Sequence, residues 1–411
     1  MKNLPLPAAA SILAAAALLV GCQNASPEAA EPESDTDSAT PHGYVEGAEE
    51  ASEPQLRLSV SDSESGAVQI LDLLSEETVL EVPATADTTL AGADARYLYL
   101  ADQEAGAVTP VDTGVWTVDH GDHKHYYRAE PTALDAVTGA DPAHVVSAGT
   151  GVALSFDGEG RAKLLDRGGL GDGNVEQLGT IRPGPHHGVA VPYEDHLIST
   201  VPGETSEDLP SSLAVYDEKG TAAPVDEECA EIHGAGVTRE GPAFACAEGL
   251  MTFDDDLSAK LVPYPDEADG SRAWSVEVGR DLSAAPLDDH GIGLFDAKSG
   301  EWTYADTSAE VVAASVAGDD SAVVALDADG TAYAIDPETG ETETNEDLVD
   351  VPKTESEGHG SGPDVVVDRE RTYVSDPSRG TVLELDQADG LRQARSFDVG
   401  GTPAALAVTG R

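Results

Sequence analysis

Residues 119 to 128 read DHGDHKHYYR. Three of the chain's eleven histidines, His120, His123 and His125, fall inside that stretch, beside Asp119, Asp122 and two tyrosines. Neutral imidazole is the commonest protein ligand for zinc, usually as one of three or four N, O or S donors in a tetrahedron. In an extended segment His123 and His125 point to one side, so both can reach one ion or two adjacent ones. Asp119, Asp122 and Tyr126 are candidates to fix the ring tautomers from behind. Further imidazoles stand at His144 (PAHVVSAG), His186 and His187 (PHHGVAVP), His233 (EIHGAGVT) and His359 (EGHGSGPDVVV). His196 and His290 read as structural residues of turns or strand edges, and His42 as solvated.

The elements that must position these residues are strands. From about residue 55 the chain alternates short β-branched runs with Gly, Asp and Pro, as in SAVVALDADGTAYAIDPETG and TYVSDPSRGTVLELDQADG. Each reads as strand, tight turn, strand. The units recur about every 40 to 45 residues, the period of four-stranded propeller blades. They begin near Ala93, Pro142, His186, Ile232, Leu282, Val311 and Gly362. The fold class is therefore all-β, a β-propeller of seven or eight four-stranded blades. A final unit combines both ends: residues 57 to 74 supply outer strands and 402 to 408 an inner strand, closing the ring. A pair of β-sandwiches is the alternative.

His144, His186, His187, His233 and His359 all sit at or just before an innermost strand. In a propeller those positions converge at one mouth of the central channel. The DHGDHKHYYR segment is expected at the same mouth, as a connection leading toward the next inner strand.

Acidic residues outnumber basic ones 78 to 22, for a formal charge of −56. That field repels nucleic acid and anionic headgroups and draws cations toward the surface. Residues 1–21 read as an export signal, an apolar run ending in Leu19-Val20-Gly21-Cys22. The ending resembles a bacterial lipobox, which would leave Cys22 lipidated and the protein anchored to the outer face of the cell membrane. Residues 22–54 are rich in Pro, Ser, Ala and Glu, with almost no large apolar side chains, and read as a disordered acidic spacer. The folded domain is then 55–411. Cys229 and Cys246 are an isolated pair in an oxidising compartment, so a disulfide is expected, with two thiolate zinc ligands as the alternative.

The segments HGDHKHYYR, HHGVAVP, and CAEIHG followed by FACAEGL resemble the signature segments of AztD-type zinc metallochaperones. The resemblance spans roughly 55 to 411. It implies an exported β-propeller that binds Zn2+ and passes it to the solute-binding protein of a zinc ABC importer. It implies His123, His125, His186 or His187, and His233 as metal ligands, and a Cys229–Cys246 pair. No catalytic residue is implied, and no nucleophile elbow, HExxH or phosphate-binding glycine loop is present. The family often carries a mobile His-rich motif near the mature N-terminus; here the spacer holds only His42. Two readings of other classes stand beside it: a metal-dependent propeller hydrolase or lactonase, and a scaffold binding a protein or cell-wall partner.

Overall fold

A computed structural model describes residues 45, 47–205, 208–352 and 362–411. The lipobox Cys22, the leader, His42, most of the spacer and His359 lie outside the described residues. Eight sheets follow one another along the chain, each built from consecutive antiparallel strands running from the innermost outward. The first blade closes the ring: Pro403–Thr409 is its innermost strand and pairs with Arg57–Asp62. The innermost strands touch in cyclic order, from Thr88–Ala93 through Pro142–Ala148 and onward to Pro403–Thr409, which touches Thr88–Ala93 again. The architecture is an eight-bladed β-propeller.

Small and β-branched residues make this packing possible. The core between the sixth and seventh blades is built from Leu282, Ala284, Ile292 and Leu294 against Val311, Val316, Val323 and Ala325. Alanine on one sheet leaves room for the branched side chain on the next, so the faces interdigitate, with Tyr333 the aromatic member of this core. Two blade starts fall elsewhere than the repeat suggested. The second blade begins at Thr88 rather than Ala93, and the sixth at Glu277 rather than Leu282. In both cases the innermost strand is less apolar than the strand after it, so the repeat pattern catches the second strand first.

Two departures shape the candidate sites. Between the third strand of the second blade, Ala107–Asp112, and its outer strands, Thr132–Ala133 and Val137–Thr138, the chain inserts the hairpin Val115–Asp119 and Lys124–Arg128. A third strand, Glu49–Ala51, pairs with Tyr126–Arg128. Composition placed that third strand in the spacer, because its residues are acidic and small. It is held instead by a partner strand and by the Arg128–Glu49 ion pair at 2.9 Å.

Candidate metal centres

Strand direction assigns the histidines to two ends of the ring. Every innermost strand starts at one face and finishes at the other. In the second blade the third strand runs parallel to the innermost one, so the insertion after Asp112 leaves from the face where innermost strands finish. Contacts agree: Thr117 donates from Oγ1 to the Gly410 carbonyl (2.6 Å), just past the end of an innermost strand. His144, His187 and His233 lie at the face where innermost strands begin. The expectation of a single shared mouth is therefore corrected. DHGDHKHYYR joins the third strand of its own blade to the fourth, not the fourth to the next blade.

At the starting face, consecutive blades three, four and five each contribute one imidazole, and the ligand atoms of His144, His187 and His233 all lie within 4.8 Å of one another. The Nε2 atoms of His144 and His187 are 3.2 Å apart. A tetrahedral zinc with bonds of about 2.0–2.1 Å sets its nitrogen donors about 3.3 Å apart, so this pair already has the right span. His233 stands slightly further out, with ring centroids 5.9 Å from His144 and 5.4 Å from His187.

Local structure aims these rings. Asp157 lies in the tight turn Asp157–Glu159 after the second strand of blade three, which closes on Gly160 at φ +60. That turn receives the next blade's approach, Gly184 N donating to Gly160 O at 3.2 Å. The approach brings His187 Nδ1 to 2.7 Å from Asp157 Oδ2. The hydrogen bond to Asp157 raises the His187 pKa above its ordinary value, against the opposing effect of partial burial. His233 donates from Nδ1 to the Trp274 carbonyl at 2.7 Å. Gly234, at φ +81, permits that approach, since a Cβ there would lie 2.9 Å from the Trp274 oxygen. A disulfide joins Cys229 and Cys246, and both sulfur-bearing residues are fully buried. It cross-links the segment that ends in His233. For His187 and His233, then, Nδ1 is engaged from behind, the arrangement typical of metal-binding histidines.

His186 does not join them. It is buried, donating from Nδ1 to Gly184 O at 2.8 Å, with Nε2 at 2.8 Å from Thr200 Oγ1. His187, in the same bend, takes the channel side instead. Gly188 serves the His186 ring rather than a ligand: a Cβ there would meet His186 Nε2 at 2.2 Å.

At the finishing face, His120, His123 and His125 also bring their ligand atoms within 4.8 Å. The hairpin turn explains His120. Asp119 pairs with Lys124, His120 N donates to His123 O at 2.9 Å, and Gly121 at φ +84 turns the chain. His120 thus comes back over the strand that carries His125, with ring centroids 5.2 Å apart. Asp122 lies 2.8 Å from His123 Nδ1, as the sequence suggested, and Glu50 from the added strand lies 2.7 Å from His125 Nδ1. The base of the hairpin is rigid. Trp116 stacks on Tyr127 at 5.4 Å, Arg96 covers Trp116 at 3.8 Å, and buried Arg57 bonds the carbonyls of Thr113 and Ala129. This cluster is more exposed than the first.

His120, His144, Glu50, Asp157 and the Trp274 carbonyl were not among the expected site residues. His144 carried a signal, its place at the start of an innermost strand. The others depend on a turn or on pairing across long separations, which spacing does not reveal.

No family model matches the chain. The zinc chaperone AztD of Citrobacter koseri is 24% identical to it over 378 residues, 86% of each sequence. A crystal structure of Citrobacter koseri AztD superposes with a TM-score of 0.77 at 23% identity, covering 87% of this chain and 98% of that one. The apo AztD structure gives a TM-score of 0.75 at 21% identity over the same shares. At such identities the structural likeness establishes the fold, and the sequence match spans the blades that carry both clusters. By sequence and by fold together, the chain is similar to the zinc chaperone AztD of Citrobacter koseri.

Proposed function

We propose that this protein is an extracytoplasmic zinc-binding metallochaperone that delivers Zn2+ to the solute-binding protein of a zinc ABC importer, tethered to the outer face of the cell membrane through lipidated Cys22. The observation that carries the reading is the convergence of His144, His187 and His233 from three consecutive blades, with Nδ1 engaged in two of them. Three imidazoles leave the fourth position of a tetrahedral ion open. A recipient can enter there with its own donor before the first donor leaves, which is what stepwise handover needs. Both centres bind as neutral imidazoles, so acidification releases the metal. The formal charge of −56 concentrates cations near the protein before capture. His120, His123 and His125 form a second, more accessible binding centre. The relative's description as a zinc chaperone supports zinc as the cargo.

The test pairs metal analysis of the protein as purified with transfer. Zinc-loaded protein is mixed with the apo solute-binding protein of the zinc importer, with and without excess chelator. The reading requires transfer faster than the chelator alone can extract the metal. Transfer no faster than chelator-limited release would refute it.

A further inference from the structure

Leu74, Leu178, Trp274 and Val312 are the large apolar side chains left exposed among the described residues, and only Trp274, 41% exposed, is aromatic. It lies beside the channel centre, its ring 5.6 Å from that of His233. The indole is held from several sides. The Arg272 guanidinium sits 3.9 Å from its centroid, and Nε1 donates to Asp288 Oδ2 at 3.3 Å. Arg272 is itself buried and donates to the Glu231 side chain at 2.8 Å and to the Glu231 carbonyl at 2.6 Å. An aromatic ring fixed in this way loses little freedom when a partner covers it. Around it the rim is acidic. Glu231 approaches from one side through Arg272, and Asp288 from the turn between Leu282–Pro286 and Ile292–Asp296, where exposed Asp289 follows it in the chain.

Resting on the chaperone reading, we propose that Trp274, with Glu231, Asp288 and Asp289, is the docking surface for the protein that takes metal from the channel centre. The occupant presents a basic face around an apolar recess. Direct exchange requires a donor atom of the second protein to reach an ion held at His233. A standard interface covers about 800 Å2 on each partner. Any partner that close covers Trp274 as well. Tryptophan is the residue type most enriched where binding energy concentrates.

The experiment is stopped-flow zinc transfer to the apo solute-binding protein of the zinc importer, from wild type, Trp274→Ala, Trp274→Phe and Asp289→Lys. Each rate is divided by the rate at which the same variant loses zinc to excess EDTA, which cancels changes in the site itself. The ratio falls at least about tenfold for Trp274→Ala and less for Trp274→Phe. For Asp289→Lys it falls and its dependence on ionic strength weakens. If Trp274→Ala does not retain zinc, the other two variants decide. Ratios equal to wild type across the set overturn the docking surface alone. No transfer from wild type overturns the chaperone reading and the docking surface with it.

Discussion

His144 and His187 aim their Nε2 atoms at one another across 3.2 Å, although 43 residues separate them in the chain. Two ring nitrogens at that distance need a proton or a cation between them, because two lone pairs repel. With His187 Nδ1 bonded to Asp157, the neutral ring carries its proton on Nδ1 and presents its inward nitrogen as an acceptor. The pair is thus prepared for a positive charge. Asp157→Asn keeps the shape but removes the carboxylate. It should weaken zinc binding at this centre by about 10- to 100-fold, measured by competition with a chelator of known affinity.

Glu50 performs the matching task at the hairpin centre from a strand near the N-terminal end of the described chain. Glu50→Ala frees His125 Nδ1 and removes a nearby negative charge. The hairpin centre should lose about tenfold in affinity, with the channel centre unaffected. Calorimetry on a background lacking the channel histidines isolates the effect.

Much of this arrangement was legible in the sequence, and the part that was not has a definite cause. Blade period, ring closure and the Cys229–Cys246 bond follow from patterns within one repeat or from cysteine count. The separation of the histidines onto two faces does not. It depends on whether the insertion at 115–128 follows a third or a fourth strand, and the outer strands Thr132–Ala133 and Val137–Thr138 are too short to leave a periodic trace. The choice between His186 and His187 was not legible, because the burial of His186 depends on Thr200, fourteen residues away on a neighbouring strand. Clusters of imidazole were visible; their grouping required the fold.

The disulfide contributes stability as well as placement. Cys229 and Cys246 are 17 residues apart. Closing a loop of that size removes about 3 kcal/mol of unfolded-chain entropy. Replacing both with serine should lower the unfolding free energy by about that amount, read from urea denaturation. The same change loosens the segment ending in His233 and so weakens zinc binding.

Two partly buried carboxylates set a pH dependence of the opposite kind to ordinary acid denaturation. Burial pushes Glu277 up to about 7, with the nearby Asp364 charge adding to the effect, and burial pushes Asp364 up to about 6. Both values exceed those of the unfolded chain, so between about 4 and 7 the folded protein binds more protons than the unfolded one. Stability from these groups is therefore lost as pH rises through that window. The double variant Glu277→Gln, Asp364→Asn should lose less stability than wild type between pH 5 and pH 8 in thermal melts.

Gly188→Ala tests the assignment of His186. A Cβ at 188 would lie 2.2 Å from His186 Nε2 and 2.5 Å from Thr200 Oγ1. Backbone or ring must shift, at a cost of about 1–3 kcal/mol. A melting temperature equal to wild type would mean that the His186 ring does not occupy that space.

The most direct measurement is a zinc titration of metal-free protein, repeated on two triple variants, one with His144, His187 and His233 changed to Ala and the other with His120, His123 and His125 changed to Ala. Two stoichiometric sites in the wild type are predicted, with each triple variant losing one and keeping the other. Binding left unchanged by removal of the channel histidines, or weak and non-stoichiometric binding in the wild type, would contradict the account.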